Sequence, residues 1–251
     1  MTTKLLSIDT NPKTVKGQKQ GYLTGILYLA PYTISGVNLC PNAELAECFN
    51  ACLYTAGRGA FTSIQQARIN KTKFFNNDQQ GFMVQLVKDI SALERKAKRL
   101  GLTPVVRLNG TSDIRWENIR FDYTFINDKV RSVTVFELFP EIQFYDYTKL
   151  ANRKDLPRNY DLTFSYSGVK RFYTQVLKAL SHGLRIAVVF RKQSDIPSKF
   201  LDITVVNGDD SDLRFLDPKK SVIALYAKGK AKKDQSGFVV DSYPVFTLKV
   251  I

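Results

Sequence analysis

The stretch LTFSYSGVKRFYTQVLKALSHGLRIAVVF, residues 162–190, carries one full turn of the pattern that decides the fold. Leu162–Ser165 is a short β-rich run, Tyr166-Ser167-Gly168 a polar turn, and Val169–His182 an amphipathic helix with Phe172, Val176, Leu177 and Leu180 on one face. Gly183 ends the helix and Arg185–Phe190 opens the next strand. A strand, a polar turn and a helix leading to another strand make a βα unit, which sets its strands in parallel.

Similar β-rich runs lie outward of this one at Leu23–Ala30, Pro104–Leu108, Ile142–Tyr145, Ile203–Val206 and Val222–Tyr226. Polar loops follow them, among them Asn109 to Asp113, Asp146 to Lys149, Lys192 to Asp195, Asn207 to Asp212 and Lys228 to Lys230. A helix is expected over Phe61–Phe75 with Phe61, Ile64 and Ala67 near one face. A stronger one runs over Asp78–Leu100, where Phe82, Leu86, Ile90, Leu93, Ala97 and Leu100 recur at steps of three and four before Gly101. The rhythm predicts an α/β fold: a complete or partial (β/α) barrel, parallel strands inside and helices outside, for which about 250 residues is typical. An open doubly wound sheet is the alternative. Residues 1–22 read as a polar N-terminal segment, and 23–251 as a single α/β domain with a cysteine loop at 38–59. In either architecture the reactive groups sit on loops at the carboxyl ends of the strands.

That cysteine loop is the clearest chemical signal. Cys40, Cys48 and Cys52 fall in the spacing C-x7-C-x3-C, and no other cysteine occurs in the chain. If Cys48 to Cys52 is helical, two thiols lie one turn apart and Cys40 can fold back to complete a triangle. Three thiolates suit a 4Fe-4S cluster with one iron open, or zinc completed by a fourth ligand; plain buried thiols are the remaining reading. The single histidine, His182, lies at a helix end, where a helix-terminal role fits better than zinc ligation. With helix-end His182 as the only imidazole, no Ser-His-Asp or Cys-His nucleophile system is plausible.

Lys and Arg number 37 against 23 Asp and Glu, a formal net charge of +14. Such an excess attracts polyanions, nucleic acid first among them, unless it reflects only a high isoelectric point. Arg58, Arg68, Lys71 and Lys73 follow the cysteines, while Lys228, Lys230, Lys232 and Lys233 surround Gly229. Helix-turn-helix and zinc-finger patterns are missing. No run of about 18 apolar residues is present and the polar start does not read as a secretory signal, so a reducing cytoplasm is the expected compartment, the host's if the protein is phage-encoded.

The stretches Cys40-Pro41 to Cys52, Leu53 to Gly59, Arg107 to Asp113, Phe144 to Lys149 and Phe215 to Pro218 resemble a family of uncharacterised tailed-phage proteins over about residues 24 to 240. In layout, a cysteine cluster directly after the first strand of a βα barrel also resembles radical S-adenosylmethionine enzymes. That likeness implies S-adenosylmethionine as a cofactor beside the cluster. The typical C-x3-C-x2-C spacing and the aromatic residue before its last cysteine are replaced here by longer gaps and Ala51, and no Gly-Gly-Glu follows the second strand. Ser112 and Asp113 could hold an amino group, or belong to a turn rich in Asn, Gly and Ser. Asp113, Asp146 and Asp195 each sit just beyond a strand end, where a barrel brings carboxylates together. Arg58, between Gly57 and Gly59, offers a guanidinium to a phosphate or carboxylate, or simply marks a flexible turn. Asp209, Asp210 and Asp212 could hold Mg²⁺ or be solvated loop residues.

Overall fold

A computed structural model of the chain describes residues 4–8 and 12–241. Parts of the expected N-terminal segment (1–3 and 9–11) and the end of the expected domain (242–251) lie outside the described residues. In chain order the elements are β1 (Leu6–Ile8), α1 (Pro12–Gln18), β2 (Tyr22–Leu27), α2 (Thr62–Asn77), α3 (Gln79–Leu100) and β3 (Thr103–Arg107). They continue with β4 (Phe121–Thr124), β5 (Val130–Val133), α4 (Val135–Leu138), β6 (Gln143–Thr148) and β7 (Tyr160–Ser165). The last are α5 (Tyr173–Ser181), β8 (Arg185–Phe190), β9 (Lys199–Phe200), β10 (Ile203–Asn207) and β11 (Val222–Tyr226). The architecture is mixed α/β with mostly parallel strands. The chain divides into two compact units, one of residues up to 39, 66–146 and 155–161, the other of 40–65, 147–154 and 162 onward.

In the first unit the strands run in the order β1-β2-β3-β6. β2, β3 and β6 are parallel, with Ile26 opposite Arg107 and Val106 opposite Phe144. β1, from the polar start of the chain, adds to β2 antiparallel with Leu6 opposite Leu27. One carboxylate fixes its entry: Asp89 Oδ2 accepts the N–H groups of Leu5 at 2.6 Å and Leu6 at 3.0 Å. α3 forms for the reasons its sequence announces. Asp78 caps it by accepting the Gly81 N–H at 2.8 Å, and Gly101 stops it at φ +66°. Phe82, Leu86, Ile90, Leu93 and Ala97 are buried as the periodicity requires, although Leu100 is exposed. Burying side chains of this size stabilises by about 1.5–3 kcal/mol each. A Cβ on Gly25 of β2 would stand 2.9 Å from a methyl of Leu93, so a larger residue there would have to displace that side chain.

α2 departs from expectation. Its buried residues are Arg68, Thr72 and Phe75, while Phe61 and Ala67 are exposed. Thr72 Oγ1 accepts the Ala30 N–H at 2.9 Å and donates to Arg68 O, and the Arg68 guanidinium stacks 4.8 Å from the Tyr28 ring. A buried face built from polar groups leaves no apolar stripe to read. The β4–β5 hairpin, turning at Asp128 with φ +59°, is likewise additional to the expected strands.

In the second unit the order is β7-β8-β11-β10-β9, parallel throughout except for the short edge β9. Phe164 faces Ile186 in register, Val188 faces Ala224, and Ile223 faces Val206. Simple succession of βα units does not produce this order, because β11 inserts between β8 and β10. Between β8 and β11 the described chain has short 3-10 turns, β9 and β10, with no α-helix among the described residues. No pairing that closes a barrel is among those described. α5 follows a 3-10 turn at Lys170–Phe172 and buries Val176 and Ala179. Its core includes Phe164, Tyr166, Phe172, Ile186, Val188, Phe190 and Phe200.

Tyr166 is fully buried in that core, edge-on to Phe200 at 5.2 Å, and its hydroxyl has no hydrogen-bond partner among the described residues. Burial, with Tyr173 adding to it, pushes the phenol's pKa up. The neutral form is therefore favoured in the folded state, so stability is intact below the unfolded phenol's value and falls as pH rises above it. Tyr166→Phe is expected to be more stable by about 1 kcal/mol near neutrality. It should also lose less stability than the parent between pH 8 and pH 11, as urea unfolding at both pH values will measure.

Candidate functional site

Cys40, Cys48, Cys52 and Arg58 belong to the second unit, and Ser112, Asp113 and Asp146 to the first. The cysteine segment is a chain of turns, so the helix over Cys48–Cys52 on which the one-turn spacing of two thiols depended is not formed. Glu47, at φ +51°, reverses the backbone, so the Cys48 N–H returns to Ala43 O at 3.1 Å. Cys48 Sγ donates to the same carbonyl at 3.8 Å, while Cys52 Sγ caps the turn Leu53–Thr55 by accepting the Tyr54 N–H at 3.5 Å. None of the three cysteines is in a disulfide, and all are half-buried. Cys48 packs against two apolar clusters, one containing Phe164 and Phe172, the other Ala51, Ala231, Phe238 and Val239. Among the described residues no three His, Cys, Asp or Glu side chains are grouped to hold a metal ion.

The segment rests on the loop that leaves β7, as expected for the carboxyl end of a parallel strand. Ser167, fully buried, donates from Oγ to Ala46 O at 2.8 Å and accepts the Val169 N–H. Asn42 Nδ2 reaches Lys149 O at 2.8 Å, and Arg171 holds both Glu44 O and the Glu47 carboxylate, the latter at 2.8 Å. The Lys149 ammonium donates to Ser165 O, Ser165 Oγ and Tyr166 O at 3.0–3.3 Å. It lies over the rings of Phe172 and Phe238, at 5.2 and 4.6 Å. Lys149, Ser167 and Arg171 are the positioning residues that the sequence reading missed. Their signal was their place in the loops after β6 and β7. Arg58 is exposed on the turn Gly57–Ala60.

In the first unit the loop after β3 is closed by its own side chains. Asn109 Oδ1 accepts Ser112 Oγ–H at 2.9 Å, the Ile114 N–H at 3.0 Å and Trp116 Nε1–H at 3.0 Å. A Cβ on Gly110 would lie 2.7 Å from Leu27 O, which restricts this position to glycine. The Asp113 N–H donates to Leu39 O at 2.8 Å. Asp146 is fully buried and accepts the N–H groups of Leu108 at 3.2 Å and Asn109 at 2.8 Å, together with Tyr160 O–H at 2.9 Å. Arg107 Nε lies 4.0 Å from Asp146 Oδ1, the oxygen that accepts the Asn109 N–H. Ser112 and Asp146 thus spend their hydrogen bonds on fixing the loop.

Of the remaining candidates, Asp209 accepts Lys228 Nζ at 2.7 Å and the Tyr226 N–H at 3.3 Å. His182 caps α5, and its Nδ1 lies 2.9 Å from Ala151 O, a carbonyl that can only accept, so that nitrogen carries the hydrogen. Arg68 is buried, and Lys71 Nζ donates to Leu5 O at 2.7 Å with its pKa lowered, first by burial. Neither is part of an open basic surface.

A model of the Gene product 88 family matches residues 4–242. The chain belongs to that phage-type family. The match takes in the cysteine segment, the Asn109 loop and every strand described above. No curated protein and no solved structure matches the chain significantly. No described helix is long and apolar enough to cross a membrane.

Replacing Asp146 by asparagine keeps its shape but exchanges an acceptor for a donor facing buried N–H groups. Asp146→Asn is expected to cost about 2–4 kcal/mol of unfolding free energy. The amides of Leu108 and Asn109 should lose hydrogen-exchange protection before those of β8 and β11.

Proposed function

We propose that this Gene product 88 protein is a basic nucleic-acid-binding protein of phage replication or transcription whose cysteines serve structure. The observation that carries the reading is the net charge of +14. Exposed cations such as Arg58, Lys73, Lys230, Lys232 and Lys233 put part of that charge in contact with solvent. Binding a phosphate backbone then gains free energy from released counterions. The local bonds made by Cys48 and Cys52 support a structural role for the thiols. In a salt titration with DNA, log K is expected to fall linearly with log salt, by about 0.7–0.9 per phosphate neutralised. Affinity indifferent to salt would remove this reading.

A second reading keeps the sulfur as a cofactor site, favoured by three half-buried cysteines, none in a disulfide, in one short segment. An iron–sulfur cluster, with radical S-adenosylmethionine chemistry on a closed barrel as its fullest form, and a zinc-stabilised interaction protein both belong to it. Anaerobic purification followed by iron, sulfide and zinc analysis separates them. Stoichiometric iron with visible absorbance supports the cluster, zinc alone supports the interaction protein, and a colourless metal-free chain rules against both.

A further inference from the structure

We propose that the turn Gly229–Lys233 and the turns at Leu53–Ala60 together form a binding surface for single-stranded nucleic acid. The inference rests on the nucleic-acid reading above and gives that reading a place in the second unit.

The two sets of turns are built against each other. Gly229 adopts φ +55°, and a Cβ there would lie 3.2 Å from Ala56 Cβ, so the close approach needs glycine. Ala231 is buried with Ala51, Phe238 and Val239, while its neighbours Lys230, Lys232 and Lys233 are exposed. One small apolar side chain thus anchors a turn whose lysines face solvent. Asp234 fixes the exit: its carboxylate accepts the Val239 N–H at 3.0 Å and its carbonyl accepts Arg191 Nη1–H at 2.9 Å. The lysines are thus displayed from a turn whose backbone is anchored at Ala231 and Asp234.

Next to it, the Leu53–Ala60 turns present Arg58 together with two exposed apolar side chains. Leu53 is 58% exposed, and Phe61, at the end of these turns, is 60% exposed. Exposed cations track a phosphate backbone of either kind. An exposed ring beside them selects unpaired bases, because only a single strand offers its base faces for stacking. Charge complementarity names a polyanion, and the ring names the strand state.

The test uses the full chain and fluorescence anisotropy with a labelled oligodeoxynucleotide, single-stranded or in duplex. The variants are K230Q/K232Q/K233Q, Phe61→Ala, and a control K88Q/K98Q/R99Q that removes the same charge from α3. Circular dichroism confirms that each is folded. The lysine variant is expected to weaken single-strand binding about ten-fold or more and to lower the salt slope by about 2. Phe61→Ala should weaken single-strand binding about ten-fold and leave the duplex almost unchanged. The control should change neither beyond about two-fold. Equal losses in the lysine variant and the control overturn the surface while leaving nucleic-acid binding intact. Duplex preferred by the parent, with Phe61→Ala silent, overturns the single-strand assignment. No binding by the parent at low salt overturns the functional reading itself.

Discussion

The cysteine segment has no α-helix or strand of its own, so every buried backbone group that its turns leave unpaired must find a partner on whatever it rests on. That requirement organises the second unit. Ser167 takes the Ala46 carbonyl, Asn42 takes Lys149 O, and Arg171 takes Glu44 O. Lys149 in turn satisfies carbonyls where β7 ends, with its charge stabilised by two aromatic faces. Leaving one such buried group unpaired costs about 1–3 kcal/mol, comparable to a sizeable share of a domain's net stability. The segment is therefore placed by hydrogen bonds to the strand-end loops, and everything it carries, thiols and Arg58 included, inherits that placement.

The first unit meets the same demand with a different device. Its loop after β3 turns on Asn109, whose side chain accepts three hydrogen bonds, and on Asp146 beneath it. Polar residues at the carboxyl end of a parallel strand are often read as a site, since such folds place chemistry there. Here the residues are consumed in holding the turn. Ser112 illustrates the ambiguity: the same hydroxyl that suits a cofactor's amino group is buried and bonded to Asn109. A loop composition alone cannot distinguish ligands from turn-closers, because both call for Asn, Ser, Gly and Asp.

Much of the scaffold was legible. Seven strands and three helices lie within a few residues of where hydrophobic periodicity and end signals put them, because most of them bury an apolar run or face. α3 is the clearest case, marked at both ends by Asp78 and Gly101. What escaped has a physical reason in each instance. β1 is three residues long and is held by Asp89 from far along the chain. The β4–β5 hairpin is largely exposed, so it lacks a buried run. The buried face of α2 is made by Arg68 and Thr72, which carry no apolar signal. Strand order in the second unit depends on which neighbours β11 chooses, and local sequence does not encode that. The cysteine spacing suggested a helical turn, but reversal at Glu47 is a tertiary outcome that spacing does not record.

Magnitudes decide what the cysteine placement implies for metal chemistry. Cys48 acts as a small apolar side chain bridging two clusters, and taking it out of them costs about 1–3 kcal/mol. The sulfur contacts at 3.5 and 3.8 Å are weak and add little to that. A structural zinc bound by thiolates contributes about 10–16 kcal/mol, so side-chain contacts of this size could not resist it. Among the described residues the three cysteines are not grouped to hold an ion. The turns that carry them are tied to the strand-end loops by Ser167, Asn42 and Arg171, and the chain runs on from them into the turns that carry Arg58 and approach Gly229. On the two proposed readings, metal and polyanion would therefore be held by one and the same segment, with the thiols at its centre and Arg58 at its end.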